Sequence, residues 1–155
     1  MGRFTLLLAL IGVSSCQARQ PLDLNQVQWL TYTNSVLKYS LSYPNAYTVE
    51  PEVDDTNVMF KTSMYNVPLV VRYTTEAEGR QRGLWFGNPP TAPIELSGKK
   101  GYKYVYSHYD GPFGERTIAY VIEYKDRFLG LEFRADGEDL DGIQKQILES
   151  FKFKP

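Results

Sequence analysis

The sequence predicts an α+β fold, an antiparallel β-sheet with a C-terminal helix packed on one face. Three observations predict it. Period-two alternation of apolar and polar residues runs through most of the chain, 12 tyrosines suit half-buried sheet surfaces, and the alternation gives way to a helical period only once, near the end. The 155 residues carry 43% hydrophobic and 23% charged content with a net charge of −1, the profile of a compact domain without a nucleic-acid footprint, which needs clustered Lys and Arg. One Cys and one His leave no disulfide framework, Cys/His zinc site or Cys–His catalytic pair from separate elements.

The elements follow in order. Gln28–Thr33 reads as a strand, and Asn34-Ser35 as the turn into Leu37–Tyr43, where Leu37, Tyr39, Leu41 and Tyr43 alternate with Lys38, Ser40 and Ser42. Tyr47–Glu50 is expected to flank that strand on its other side. Asn57–Thr62 and Val67–Thr74 form the next pair, the second apolar on both faces at Leu69, Val70 and Val71 and therefore central. Tyr102, Tyr104 and Tyr106 share one face of a strand that ends at Asp110-Gly111-Pro112. Ile118–Tyr124 and Leu129–Phe133 complete a three-strand meander around a Lys125-Asp126 turn. Leu140, Ile143, Ile147, Leu148 and Phe151 then fall on one helical face. Asp136, Glu138, Asp139 and Asp141 are placed in the first turn of this helix, and Lys145 and Lys152 toward its end.

Residues 1–15 stand apart. Phe4–Val13 is an almost unbroken apolar run behind Arg3, the pattern of a signal peptide. A ten-residue helix reaches only ~15 Å against a hydrocarbon core of ~30 Å, so the run targets and does not span. Val13-Ser14-Ser15-Cys16 places an aliphatic and two small residues before the sole cysteine. This resembles the lipobox of bacterial lipoproteins, which implies cleavage after Ser15 and diacylglycerol on Cys16. An ordinary secretory leader cut after Ser15 or Ala18 is the alternative, whereas Leu6 occupies the position where N-myristoylation at Gly2 needs Ser or Thr. Residues 16–27 are then a lipid-anchored tether, and 28–155 the folded domain. The implied address is an exported, lipid-anchored protein of the bacterial outer membrane or periplasmic face.

Trp29-x-x-Tyr32-x-Asn34 followed by Tyr39-Ser-Leu-Ser-Tyr43-Pro44, together with Gly98, Gly101-Tyr102 and the closing Ile147-Leu148-x-Ser150-Phe151-x-Phe153, resembles PsbP-like domains. The resemblance implies a central antiparallel sheet with helices on its faces, export or lipid anchoring, and attachment to a larger assembly such as photosystem II. It implies no enzyme. One departure stands out: the family's longer helix between the third and fourth strands is replaced by Glu76–Pro93, whose Gly79, Gly83, Gly87, Pro89, Pro90 and Pro93 break any long helix. One sheet face is therefore expected to be thinly covered.

Within that Gly/Pro-rich stretch Leu84, Trp85 and Phe86 are the candidate partner-binding residues. They either anchor a protein partner or fold back to plug the domain's own core. The remaining candidates are weaker. His108 beside Ser107, with the Asp54-Asp55 turn, is the starting point for the alternative reading, a small secreted hydrolase or ligand carrier. Asp136–Gly142 lacks the EF-hand spacing, with Leu140 at position 5 and Asp141 at position 6. Glu50, Glu52, Asp54 and Asp55 could attract a divalent ion but read as a solvated turn. No cofactor and no metal site are expected. The favoured function is a lipid-anchored, non-enzymatic binding or assembly module in the envelope or on a thylakoid.

Overall fold

A computed structural model describes residues 25–52, 56–63, 66–107 and 116–155. The strands among them are β1 (Trp29–Asn34), β2 (Tyr39–Pro44), β3 (Thr48–Pro51), β4 (Val58–Lys61), β5 (Leu69–Thr74), β6 (Ala92–Leu96), β7 (Lys99–Ser107), β8 (Arg116–Tyr124), β9 (Arg127–Ala135) and β10 (Lys152–Phe153). Helix α1 (Glu76–Gln81) and a 3-10 turn at Trp85–Gly87 link β5 to β6, and α2 (Gly142–Ser150) links β9 to β10. They build two antiparallel sheets, a small one ordered β1-β2-β10 and a large one ordered β3-β4-β5-β9-β8-β7-β6. With α2 against β2, this is the expected α+β sandwich.

The core lies between the sheets. Leu69, Val71, Ile118, Ile122, Leu129, Leu131 and Phe133 point inward from the large sheet and meet Tyr39 and Leu41 of the small one and Leu37 of the turn before β2, with Ile147 and Phe151 beside them. The Tyr39 ring stacks on Phe151 at 5.3 Å, and Tyr124 stacks on Phe153 at 4.5 Å. The Tyr124 hydroxyl donates to the Leu37 carbonyl at 2.8 Å, which ties the two sheets together at their rim. The closing motif is thus a seam. Ser150 Oγ accepts from the Ser42 amide at 2.8 Å, and Phe153 pairs with Tyr39 in register.

Two expectations are corrected, and one strand is added. The strand at Thr48–Pro51 does not flank β2: after the turn in which the Tyr47 amide reaches the Pro44 carbonyl, the chain crosses to the large sheet and pairs with β4, leaving that side of β2 to β10. β6 was not foreseen. Its signal was the Ser97-Gly98 dipeptide, where both residues have positive φ (50° and 78°), as a two-residue hairpin turn into β7 demands. Helix α2 starts later than its apolar spacing suggests, because Asp141 is the N-cap and forms a reciprocal capping box with Gln144. Asp136, Glu138 and Asp139 therefore precede the helix, the last two reaching Arg116 and Lys103 at 3.6 and 3.4 Å, and Lys152 belongs to β10. For Leu84-Trp85-Phe86, where the sequence leaves anchor and plug both open, Leu84 and Trp85 are buried as a plug would be.

Candidate binding groove

Strand periodicity decides what lies on the outer face of the large sheet. The register sets Tyr102 opposite Val121 and Tyr104 opposite Ala119, with Val121 opposite Gly130 and Ala119 opposite Glu132 on the next strand. All of these side chains rise from the face turned away from the core. The chain from Thr75 to Asn88 folds back over the middle of this face as a strap. Its helix is capped reciprocally by Thr75 and Glu78, and the Leu84 amide donates to the Gly79 carbonyl at 2.9 Å. Trp85 is 0% exposed and Leu84 3%, so they do not present an aromatic anchor to a partner; of the three candidate residues only Phe86 is partly exposed. The apolar drive of a large indole explains the burial, since the sheet face beneath it offers Ala119, Val121 and a glycine.

That glycine is Gly130. A Cβ there would sit 2.6 Å from the Trp85 ring, so only a residue without a side chain admits the indole. Gly79 plays the same part for Phe86, whose ring lies 2.1 Å from where a Cβ would be. Phe86 then meets Phe128 edge-to-face at 5.0 Å and closes the strap's flank.

Beneath the strap lies a charged cluster. Arg72 Nε donates to Glu132 Oε2 at 2.8 Å, Arg72 also binds Glu52, and Arg82 reaches Glu52 at 3.1 Å. Burial pushes the Glu132 carboxyl above its ordinary range, and the Arg72 charge offsets this only in part. Burial would raise Glu52 too, but hydrogen bonds and charges from Arg72 and Arg82 outweigh it and hold Glu52 low. Burial also raises the Tyr106 hydroxyl, and the Glu132 charge adds to it.

The strap stops short of the β6 edge. Past Phe128 the outer face opens into a groove of about 730 Å³, floored by Tyr102, Tyr104 and Val121 and bordered by Pro93, Glu95, Lys100 and Glu123. Tyr102 is 51% exposed, and Val121 is buried at its foot. This set can hold a ligand: aromatic faces supply stacking, while two carboxylates and one ammonium supply charge. The sequence placed the tyrosines on one face but gave no sign that this face stays open. The thin cover expected from the Gly/Pro-rich segment was the available clue.

Other sequence candidates lie elsewhere. Cys16, His108, Asp54 and Asp55 fall outside the described residues, as does the leader. Glu50 is paired with Lys61, and Glu52 belongs to the cluster above. Among the described residues no three His, Cys, Asp or Glu side chains gather as a metal site would require, and no helix is long and apolar enough to cross a membrane.

The solution structure of the cyanobacterial PsbP protein CyanoP from Synechocystis sp. PCC 6803 is similar to this chain, with a TM-score of 0.50 across 87% of this chain and 98% of that one. The fold is PsbP-like. Sequence identity is 13%, so the likeness is one of architecture. No family model and no curated protein matches the sequence. The strap is formed by the Gly/Pro-rich segment, whereas the groove beside it is lined chiefly by β6, β7 and β8.

Proposed function

We infer that this chain is an exported, lipid-anchored binding module that acts without catalysis and docks a partner protein in the groove floored by Tyr102 and Tyr104. The observation that carries the reading is the open, aromatic-floored groove, with Tyr102 half exposed at its floor. Large exposed aromatics in a preformed concavity are the usual anchors of a protein contact. The leader supports the address: an apolar run too short to span, ending in small residues before Cys16. Two or three acyl chains there, each CH₂ contributing about 0.8 kcal/mol when buried, suffice to hold the domain on a membrane. A PsbP-like fold is compatible with a role as an accessory to a larger assembly.

Two measurements test the two halves. Mass spectrometry of the membrane-fraction protein should find a diacylglyceryl mass on an N-terminal Cys16, and Cys16→Ser should release the protein to the soluble fraction. A chain that keeps Met1, or whose fractionation ignores the substitution, lacks the anchor. For docking, a photo-crosslinking amino acid at position 102 should give one dominant adduct in cells, lost when Val121 is enlarged to Trp. A ladder of weak adducts unaffected by that filling would end the docking half.

A further inference from the structure

The groove's chemistry points to the kind of group its partner presents, and this deepening rests on the docking reading above. Two half-buried tyrosine rings elsewhere lie beside the protein's own cations. Lys99 and Lys125 lie 5.6 and 5.4 Å from the Tyr124 ring, and the Arg127 guanidinium lies 5.6 Å from that of Tyr73. Among the described residues no Lys or Arg sits over Tyr102 or Tyr104 in this way. Glu95 on β6 and Glu123 on β8 are exposed and border the same groove, two residues along their strands from Pro93 and Val121, which oppose Tyr102. Neither carboxylate has an ion-pair partner among the described residues, and Lys100 is the single cation in the lining, leaving an excess of negative charge. Lys100 stands between the two carboxylates, opposite Glu95 in register, and one ammonium for two carboxylates beside open π faces leaves half of a cation site.

The occupant lies across the face and does not extend the sheet. β6 is the terminal strand, but Pro93, the second of its five residues, lacks an N–H, a device that blunts an edge against strand addition. A planar guanidinium can stack on a ring and fork to a carboxylate at once, which a compact ammonium cannot. We propose that the groove receives an arginine-bearing segment of a partner protein, its guanidinium stacked on Tyr102 and paired with Glu95 or Glu123.

The probe is a short dye-labelled peptide alternating Gly and Arg, titrated against the full chain in detergent, with a citrulline peptide of the same shape but no charge as its control. The Arg peptide should bind at least about tenfold tighter than the citrulline peptide. Tyr102→Ala and the double substitution Glu95→Gln/Glu123→Gln should each weaken it by about tenfold without lowering the melting temperature, whereas Tyr102→Phe, which keeps the ring, should retain it. Raising salt from about 50 to about 500 mM should weaken binding several-fold. Equal affinity for citrulline, or binding indifferent to all three groove substitutions, overturns the proposal, as does a neutral oligosaccharide that binds through Tyr102 where the peptide does not. The two readings fail separately. A single crosslinked partner whose attached segment holds no Arg leaves the docking reading standing and removes this one, while the absence of any dominant adduct removes the docking reading itself.

Discussion

The two faces of the large sheet are built from the same strands and follow opposite rules. Toward the small sheet, Leu69, Val71, Ile118, Leu129, Leu131 and Phe133 are all fully buried and wholly apolar. On the reverse, Arg72, Glu132, Gly130, Ala119 and Tyr104 alternate with them residue by residue, and only part of that surface is covered. One face is committed to folding; the other is divided between a strap and an open groove. Phe133→Ala should cost about 3–5 kcal/mol in urea denaturation, whereas Tyr102→Ala on the reverse should stay within about 0.5 kcal/mol. Comparable losses from the two would erase the distinction.

The charged cluster under the strap tests whether the reverse face also contributes to folding. Arg72→Met leaves Glu132, 5% exposed, without its cation, and removal of one partner of a buried pair costs about 3–5 kcal/mol. Adding Glu132→Leu should recover most of that loss, since the unpaired charge causes it. If the double variant is no better than the single, the cluster acts through packing and not through charge. A smaller effect is expected at the strap's seat. Gly130→Ala sets a methyl 2.6 Å from the Trp85 ring and should cost about 1–3 kcal/mol, with a red-shifted Trp emission as the indole is lifted. Trp85→Phe should relieve part of it in the double variant.

What the sequence made legible follows the same division. The inward face was readable because alternation over Leu129, Leu131 and Phe133 or over Leu37, Tyr39 and Leu41 repeats a single physical demand, burial of every second residue. The reverse face repeats no demand. Nothing local decides between anchor and plug for Trp85, because its burial depends on a glycine 45 positions away that shares no local pattern with it. Gly130 interrupts a strand, and a glycine in a strand interior marks a close approach; that signal was present, but it does not name the approaching residue. The Arg72–Glu132–Glu52–Arg82 cluster joins four segments, so no spacing rule could assemble it. The groove is harder still, because it exists only where the strap ends.

The last test separates two carboxylates that share one guanidinium. Glu132 is held above its ordinary value near 4.5 by burial, with Arg72 offsetting part of the shift, so the folded state binds that proton more tightly than the unfolded chain. Its contribution to stability is therefore fully present below the unfolded value and is lost as pH rises through the folded one. Glu52 behaves oppositely. Burial would raise it, but Arg72 and Arg82 hold it low, so its contribution is present above the unfolded value and is lost as pH falls through the folded one. Urea denaturation at a series of pH values should show Glu132→Gln gaining on the parent protein as pH rises from about 4.5, and Glu52→Gln gaining on it as pH falls below that. Parallel profiles for both variants would mean that the two carboxyls titrate as one unit, and the strap would then be fastened by a single shared proton site in place of two opposed ones.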